Sequence, residues 1–363
     1  MTFLVLSFLT SLVLTLLVVR SADQHAHRSA DHDLSGPQKF HATPVPRIGG
    51  VGILVSMVVC VAVAQATGRV EAPMLWLLLL CSLPAFLSGL AEDLTKAVSP
   101  RRRLVSTAVS AGLAVWVLDA VITRTAIPGI DWLVGFVPFA IALTVFVVTG
   151  VANAINIIDG FNGLASMCVL LMLLAVTYVA FQVGDTLVFS AALIGTGAVL
   201  GFFVWNFPAG LVFLGDGGAY LLGFFLAELA ILLLHRNPSV SPIFALLLCA
   251  YPIFETLFTM YRRKFVRGVA TGEPDGIHLH TLIHRRLVRW SASASPERRQ
   301  TQRNSMTSPY LWSLCLMSVI PSVLWWDNTA MLTLFLCLFM LSYTLLYARI
   351  VRFRTPKWLV FRR

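Results

Sequence analysis

Charge is scarce in this chain. Asp, Glu, Lys and Arg make up 12% of its 363 residues, about half the share found in soluble domains, which excludes an ordinary water-soluble fold. Cysteine is scarce as well. The six (Cys60, Cys81, Cys168, Cys249, Cys315 and Cys337) all fall within apolar runs and form no Cys-x-x-Cys pair, so neither a disulfide framework nor a thiolate metal site is indicated. The first apolar run, Met1 to Val19, has no basic region before it and no Ala-x-Ala-like cleavage site after it. It reads as a retained helix and not as a signal peptide.

Apolar residues are abundant instead, at 58% of the total. Stretches of about 20 residues are long enough to cross the hydrocarbon core. Eleven recur, near 2–19, 49–67, 74–91, 104–122, 132–151, 164–182, 186–205, 217–234, 241–261, 310–326 and 328–348. The expected fold is all-α, a polytopic integral membrane helical bundle forming a single membrane domain over residues 1–363. Of the 27 Lys and Arg, only Arg69, Arg124 and Arg236 lie in the loops after helices two, four and eight. The rest follow helices one, three and nine or lie in the C-terminal tail. That bias puts those segments in the cytoplasm, the N-terminus outside and the C-terminus inside. The formal net charge of +10 then needs no nucleic-acid partner. The lipid bilayer is the partner, and basic clusters beside it attract anionic headgroups.

Five polar segments fall on the expected cytoplasmic side. Residues 21–48 contain Lys39, His41 and Arg47; residues 92–103 contain Glu92, Asp93 and Arg101-Arg102-Arg103. In 152–163, Asn156, Asp159 and Asn162 recur every three residues beside Gly160 and Gly163. Residues 206–217 carry Asn206-Phe-Pro-Ala209 and Phe213-Leu-Gly-Asp216, and residues 262–309 carry His278-Leu-His280, Arg285 and Arg286. Plainer explanations exist for each: solvated boundary charges for Glu92-Asp93, a helix cap for Asp216, surface positions for the histidines. Glu228 and Glu255, inside helices, are expected to be structural hydrogen-bonding groups. Polar groups at a membrane boundary are expensive, however, and their assembly on one side favours chemistry.

Glu92, Asp93, Asp159 and Asp216, with no cysteine among them, form an oxygen-rich set suited to Mg²⁺ or Mn²⁺, and Mg²⁺ typically binds one or two carboxylates plus substrate phosphates. Arg and Lys clamp phosphate, and glycine backbones approach anions closely. The residues alone fit metal-assisted phosphoryl or phospho-sugar transfer onto a lipid carrier at the inner leaflet. A non-enzymatic transporter of an anionic solute is the rival from another class. It would place acids and broken helices near the midplane, whereas here the polar groups cluster at helix ends.

The ordered motifs resemble the bacterial polyprenyl-phosphate N-acetylhexosamine-1-phosphate transferases, glycosyltransferase family 4, which share a superfamily with the phospho-muramoyl-pentapeptide translocase. The resemblance runs from about residue 30 to residue 290. Lys39, His41 and Arg47-Ile-Gly-Gly50 match the first motif, Glu92-Asp93 the acidic pair, Asn156-x-x-Asp159-Gly160 the Asn-x-x-Asp-Gly motif, Phe213-Leu-Gly-Asp216 the magnesium-binding motif, and His278-Leu-His280 the histidine motif. It implies Mg²⁺ (or Mn²⁺) held by Asp216 and Asp159, and catalytic roles for Glu92, Asp93, Asp159 and Asp216. Lys39, His41, Arg47, Asn156, Asn162, His278, His280, Arg285 and Arg286 would bind substrate. The implied partners are undecaprenyl phosphate and a UDP-N-acetylhexosamine, with UMP released at the cytoplasmic face of a bacterial inner membrane. Nothing in the sequence excludes a homodimer. The spelling looks more like enzymes that start O-antigen or other surface glycans, with a peptidoglycan-type phospho-N-acetylmuramoyl-pentapeptide transferase as the alternative. Two departures stand out: Glu92 replaces the usual first Asp, and the third histidine comes late, at His284. Two helices and a basic tail over 310–363 carry no motif of the family.

Overall fold

The computed structural model describes residues 1–22, 45–268, 276–288 and 295–354. Lys39 and His41 lie outside the described residues. Those that are described are almost wholly helical: α1 (Thr2–Arg20), α2 (Gly49–Ala66), α3 (Ala72–Thr95), α4 (Pro100–Leu118), α5 (Ile130–Val134), α6 (Val137–Ile158) and α7 (Leu164–Gln182). They continue as α8 (Thr186–Asn206), α9 (Gly215–Arg236), α10 (Ile243–Leu248), α11 (Ala250–Tyr261), α12 (Leu279–Arg286), α13 (Pro296–Leu324) and α14 (Thr329–Val351).

Among the described residues nine helices are long and apolar enough to cross a membrane: α1, α2, α3, α6, α7, α8, α9, α13 and α14. The other two expected spans have visible reasons for being irregular. Helix α4 opens on Arg101, Arg102 and Arg103. The run 241–261 is broken at Cys249 between α10 and α11. Pro252 follows, has no N–H to offer the carbonyl of Leu248, and so removes one rung of a continuous helix.

Helix α9 is the hub. Its Glu228 carboxyl oxygens are buried with no hydrogen-bond partner among the described residues, where a structural hydrogen bond was expected. Apart from Glu228, and from Asp216 and Tyr220 near its start, α9 is apolar all round and buried almost continuously from Gly215 to Leu233, as a helix without a polar face must be. Helices α2, α3, α6 and α7 pack around it. At the periphery, the Ser11 hydroxyl of α1 donates to the Ala198 carbonyl of α8 at 2.6 Å, and the Trp205 indole of α8 donates to Leu12 O at 2.9 Å. Such interhelical hydrogen bonds support association where no hydrophobic drive separates helix from lipid.

Helix ends differ from the sequence-based boundaries in one consistent way. Helix α3 runs to Thr95, past the expected end at 91, and α6 runs to Ile158, past 151. Glu92, Asp93, Asn153 and Asn156 therefore lie on helices and not in loops. Inward-facing polar side chains find partners there and do not terminate the helix. Likewise, the expected loop 262–309 holds a π-helical turn (Arg262–Arg267), all of α12 and the start of α13. With 29 residues, α13 is ~44 Å long, which leaves its first turns outside any hydrocarbon core.

Candidate active site

The end of α9 that begins at Gly215 is built from backbone contacts first. Segment 46–50 clasps the residues just before α9: Phe213 N donates to Pro46 O (2.8 Å), Gly49 N to Phe213 O (3.1 Å) and Gly50 N to Leu214 O (3.1 Å). Gly215 takes a positive φ of 75° and lies against Arg47 O. A side chain there would be strained and would clash with that carbonyl. Gly89 of α3 allows α9 to approach equally closely, since a Cβ would meet the Asp216–Gly217 backbone.

Asp93, 1% exposed, then caps α9 from the neighbouring helix. Its Oδ1 accepts from Asp216 N and its Oδ2 from Gly217 N, both at 2.9 Å. These are N–H groups that no helical carbonyl can satisfy, and removing the carboxylate would cost about 1–3 kcal/mol for each donor left buried. Capping points the Asp216 side chain into a ring of donors. Its Oδ1 accepts from Asn156 Nδ2 at 3.0 Å and faces an Arg47 guanidinium nitrogen at 3.4 Å, while its Oδ2 pairs with Arg103. Arg47 Nε also lies 3.5 Å from Asp93 Oδ1. One turn on, Tyr220 donates to Asn153 Oδ1 (3.2 Å) and lies under the Arg103 guanidinium at 5.8 Å.

Asp159 ends α6 beside this cluster. Although its surface is not wholly covered, its carboxyl is pushed up to about 7, chiefly by desolvation; Arg47 pulls it down and Asp93 pushes it further up. Next in the chain, Phe161 packs between His280 and His284, at ring-centroid distances of 5.6 and 5.2 Å. His280 Nε2 faces Gly160, and the His278 ring stacks on His280 at 5.0 Å and 11°. Burial, helped by His278 and opposed by Glu255, drives His280 down to about 3. Burial also takes His284 down to about 4, with Arg303 and Arg285 adding to the effect and a hydrogen bond at Arg303 opposing it. Both rings are therefore neutral at physiological pH.

The structure thus brings Arg47, Asp93, Asn156, Asp159, Asp216, His278 and His280 to one end of the bundle. It places four of the sequence candidates elsewhere. Glu92 Oε2 accepts from Val98 N at 2.7 Å and closes the turn into α4. Asn162 is 4% exposed and faces α13: its N donates to Asn304 Oδ1 (2.8 Å), its Nδ2 to Ser305 Oγ (3.1 Å), and its carbonyl accepts from Ser308 Oγ (2.6 Å). Arg285 is exposed and bonds Gly276 O at 3.3 Å. Arg286 caps α14 through Ile350 O (2.6 Å) and Val351 O (2.7 Å) and covers the Phe353 ring. In the other direction, Arg103, Asn153 and Tyr220 belong to the cluster and were not among the candidates. Two of them had a readable signal. Asn153 lies three residues before Asn156 and Tyr220 four after Asp216, spacings that share a helix face.

No set of three or more His, Cys, Asp and Glu with metal-binding geometry occurs among the described residues. The donor set still fits a hard divalent cation, which needs only one or two carboxylates. Asp159 and Asp216 would supply oxygen ligands to such a cation, and the crowding of Asp159 by Asp93 is a like-charge cost that a cation would relieve.

Comparison with known proteins places the same stretch in context. Residues 75–234 match the family described as glycosyl transferase family 4. The chain is 28% identical over 267 residues to the undecaprenyl-phosphate alpha-N-acetylglucosaminyl 1-phosphate transferase of Thermotoga maritima, covering 71% of this chain and 74% of that one. It is 32% identical over 243 residues to the phospho-N-acetylmuramoyl-pentapeptide-transferase of Carboxydothermus hydrogenoformans (61% and 71%). With the decaprenyl-phosphate N-acetylglucosaminephosphotransferase of Mycobacterium tuberculosis it shares 27% identity over 299 residues (68% and 69%).

Proposed function

This protein belongs to glycosyl transferase family 4, and from that membership we propose that it transfers the sugar-1-phosphate of a UDP-N-acetylhexosamine to a polyprenyl phosphate. An oxygen of the lipid phosphate attacks the sugar-proximal phosphorus, the bond to the other phosphate breaks, and UMP leaves with the electron pair. The lipid product is a polyprenyl diphosphate sugar. One observation carries the reading: a carboxylate, Asp216, fixed at a capped helix start and ringed by Arg47, Arg103 and Asn156, within the stretch matched to the family.

Each residue then has a physical task. Arg47 and Arg103 are planar guanidiniums able to clamp phosphate oxygens in two-pronged fashion. Asp93 holds the α9 backbone in place and does not act as a base. None is needed, because a phosphate monoester with its second pKa near 6 is largely ionised at neutral pH. Asp216 and Asp159 would hold Mg²⁺, which when bound neutralises diphosphate charge and the departing UMP. His280 acts as a neutral hydrogen-bond donor. Its Nδ1 is buried without a partner, and an orphaned lone pair costs less than an orphaned N–H; the proton therefore belongs on Nε2, which faces Gly160 beside Asp159. His278 stands next to it and stacks on its ring.

The positive-inside bias supports a site facing the cytoplasm of a bacterial inner membrane, where UDP-sugars are available. Cysteines introduced near Arg285 should resist an impermeant label on intact cells, and those near Arg124 should react; the reverse pattern overturns this orientation. We place the lipid product at the start of a surface glycan such as O-antigen. The similarity to a muramoyl-pentapeptide transferase keeps a peptidoglycan-type donor as the second reading. The test is a donor panel given to purified protein with undecaprenyl phosphate. UDP-N-acetylglucosamine or a related simple donor should yield lipid-linked sugar and UMP, whereas turnover of UDP-N-acetylmuramoyl-pentapeptide alone would replace the first reading with the second. Intact substrates in every assay would contradict both.

A further inference from the structure

Helix α14 lies beyond the stretch matched to the family, yet it reaches the histidines. Glu255 of α11 is completely buried. A buried carboxylate needs donors to offset its lost hydration, and three converge on it. Leu279 N donates to Oε1 at 2.9 Å, His278 Nδ1 lies 3.2 Å from the same oxygen, and the Tyr343 hydroxyl of α14 donates to Oε2 at 2.7 Å. Leu279 N is one of the unpaired donors at the start of α12, so Glu255 caps that helix from outside.

The geometry also fixes the His278 ring. A carboxylate can only accept, so the Nδ1 that faces it carries the proton and Nε2 is left to point away. Because His278 stacks on His280 at 5.0 Å, the plane of one ring sets the plane of the other. Helix α14 braces the arrangement a second time: Tyr347 bonds both Arg262 and Ile277 O, just ahead of His278.

We propose that Glu255 and Tyr343 are positioning residues, which hold the start of α12 and, through the stacked His278 ring, orient His280 toward the diphosphate of the donor. The proposal rests on the transfer reaction above. It gives the last helix a role in donor binding that the family stretch does not contain. Neither residue touches the reacting atoms; both act through His278.

The test uses the full chain in lipid nanodiscs, comparing Tyr343→Phe and Glu255→Gln with Leu332→Ala. Leu332 is buried at the other end of α14 and serves as a packing control. Hydrogen-exchange mass spectrometry reads the start of α12, and initial rates read KM for each substrate. Both clamp variants should exchange faster over residues 278–282. Their KM for the UDP-sugar should rise by about tenfold while KM for lipid phosphate and kcat stay within about twofold. Leu332→Ala should lower thermal stability and change neither readout. Unchanged exchange in both clamp variants overturns the proposal. So does faster exchange with an unchanged donor KM, since the clamp would then serve stability alone. If the wild type turns over no UDP-sugar while the variants still exchange faster, the transfer reaction fails and the clamp stands.

Discussion

At one end of α9, Asp216 is shared among Arg47, Arg103 and Asn156, with Asp93 and Asp159 beside it. At the other end a buried carboxylate, Asp185, its side chain 2% exposed, takes Arg236 Nε at 2.8 Å, Asn237 Nδ2 at 3.0 Å and Val188 N at 3.1 Å. Arg124 closes that end by donating to the carbonyls of Leu234, Asn237 and Val240 at 3.0, 2.9 and 2.7 Å. Both ends contain buried charge, and they differ in balance. Around Asp185 the acceptors and donors answer one another locally, as a lock requires. Around Asp216 three carboxylates crowd two guanidiniums, an arrangement that is costly without a ligand and useful with one.

The contrast is broken or sharpened most by exchanging the two aspartates for asparagine. Asp216→Asn should lower turnover by orders of magnitude with little loss of folded protein. Asp185→Asn should do the opposite, costing about 1–3 kcal/mol of stability with turnover per folded molecule retained. Thermal melts in nanodiscs beside turnover measurements check this pair, and similar behaviour of the two variants would dissolve the distinction. Next in size is Arg103→Gln, expected to lower kcat/KM by about a hundredfold, since hydrogen bonds to charged groups contribute about 1.5–3 kcal/mol each.

A subtler difference concerns pH. The folded-state pKa of Asp159 is raised to about 7, so the folded protein binds a proton that the unfolded chain has lost. This contribution favours folding at low pH and is lost as pH rises from about 4 to 7. Asp159→Asn should flatten that part of a stability-against-pH curve measured without divalent cations, and an unaltered slope would remove the crowding. Smallest of all is Glu92→Gln. The amide oxygen can still accept from Val98 N, so activity should stay within about threefold and stability within ~1 kcal/mol. A near-complete loss of turnover would return Glu92 to the reacting centre.

Much of the fold was legible because apolar runs of spanning length announce themselves, and the polar islands mark where the chain departs from lipid. Helix ends were not, because Asn153 and Asn156 read as loop residues until they are seen to pair with Tyr220 and Asp216. Asn162 and Arg286 illustrate a second limit. Each sits in a motif-like segment, and each is claimed by a distant helix, α13 or α14, through contacts that no local spacing encodes. The motif-free C-terminal segment is the clearest case. Ser305, Ser308 and Trp312 brace the Asn162–Gly163 turn, Thr307 meets His284 at 3.0 Å, and Tyr343 reaches Glu255.

In the transfer proposed above a phosphorus–oxygen bond breaks and the sugar leaves with its phosphate. Donor labelled with ³²P at the sugar-proximal phosphate tests it directly, using purified protein, undecaprenyl phosphate and Mg²⁺. The label should move into the lipid phase while unlabelled UMP accumulates in equal amount. Label retained in released UDP, with the sugar alone on the lipid, would contradict it.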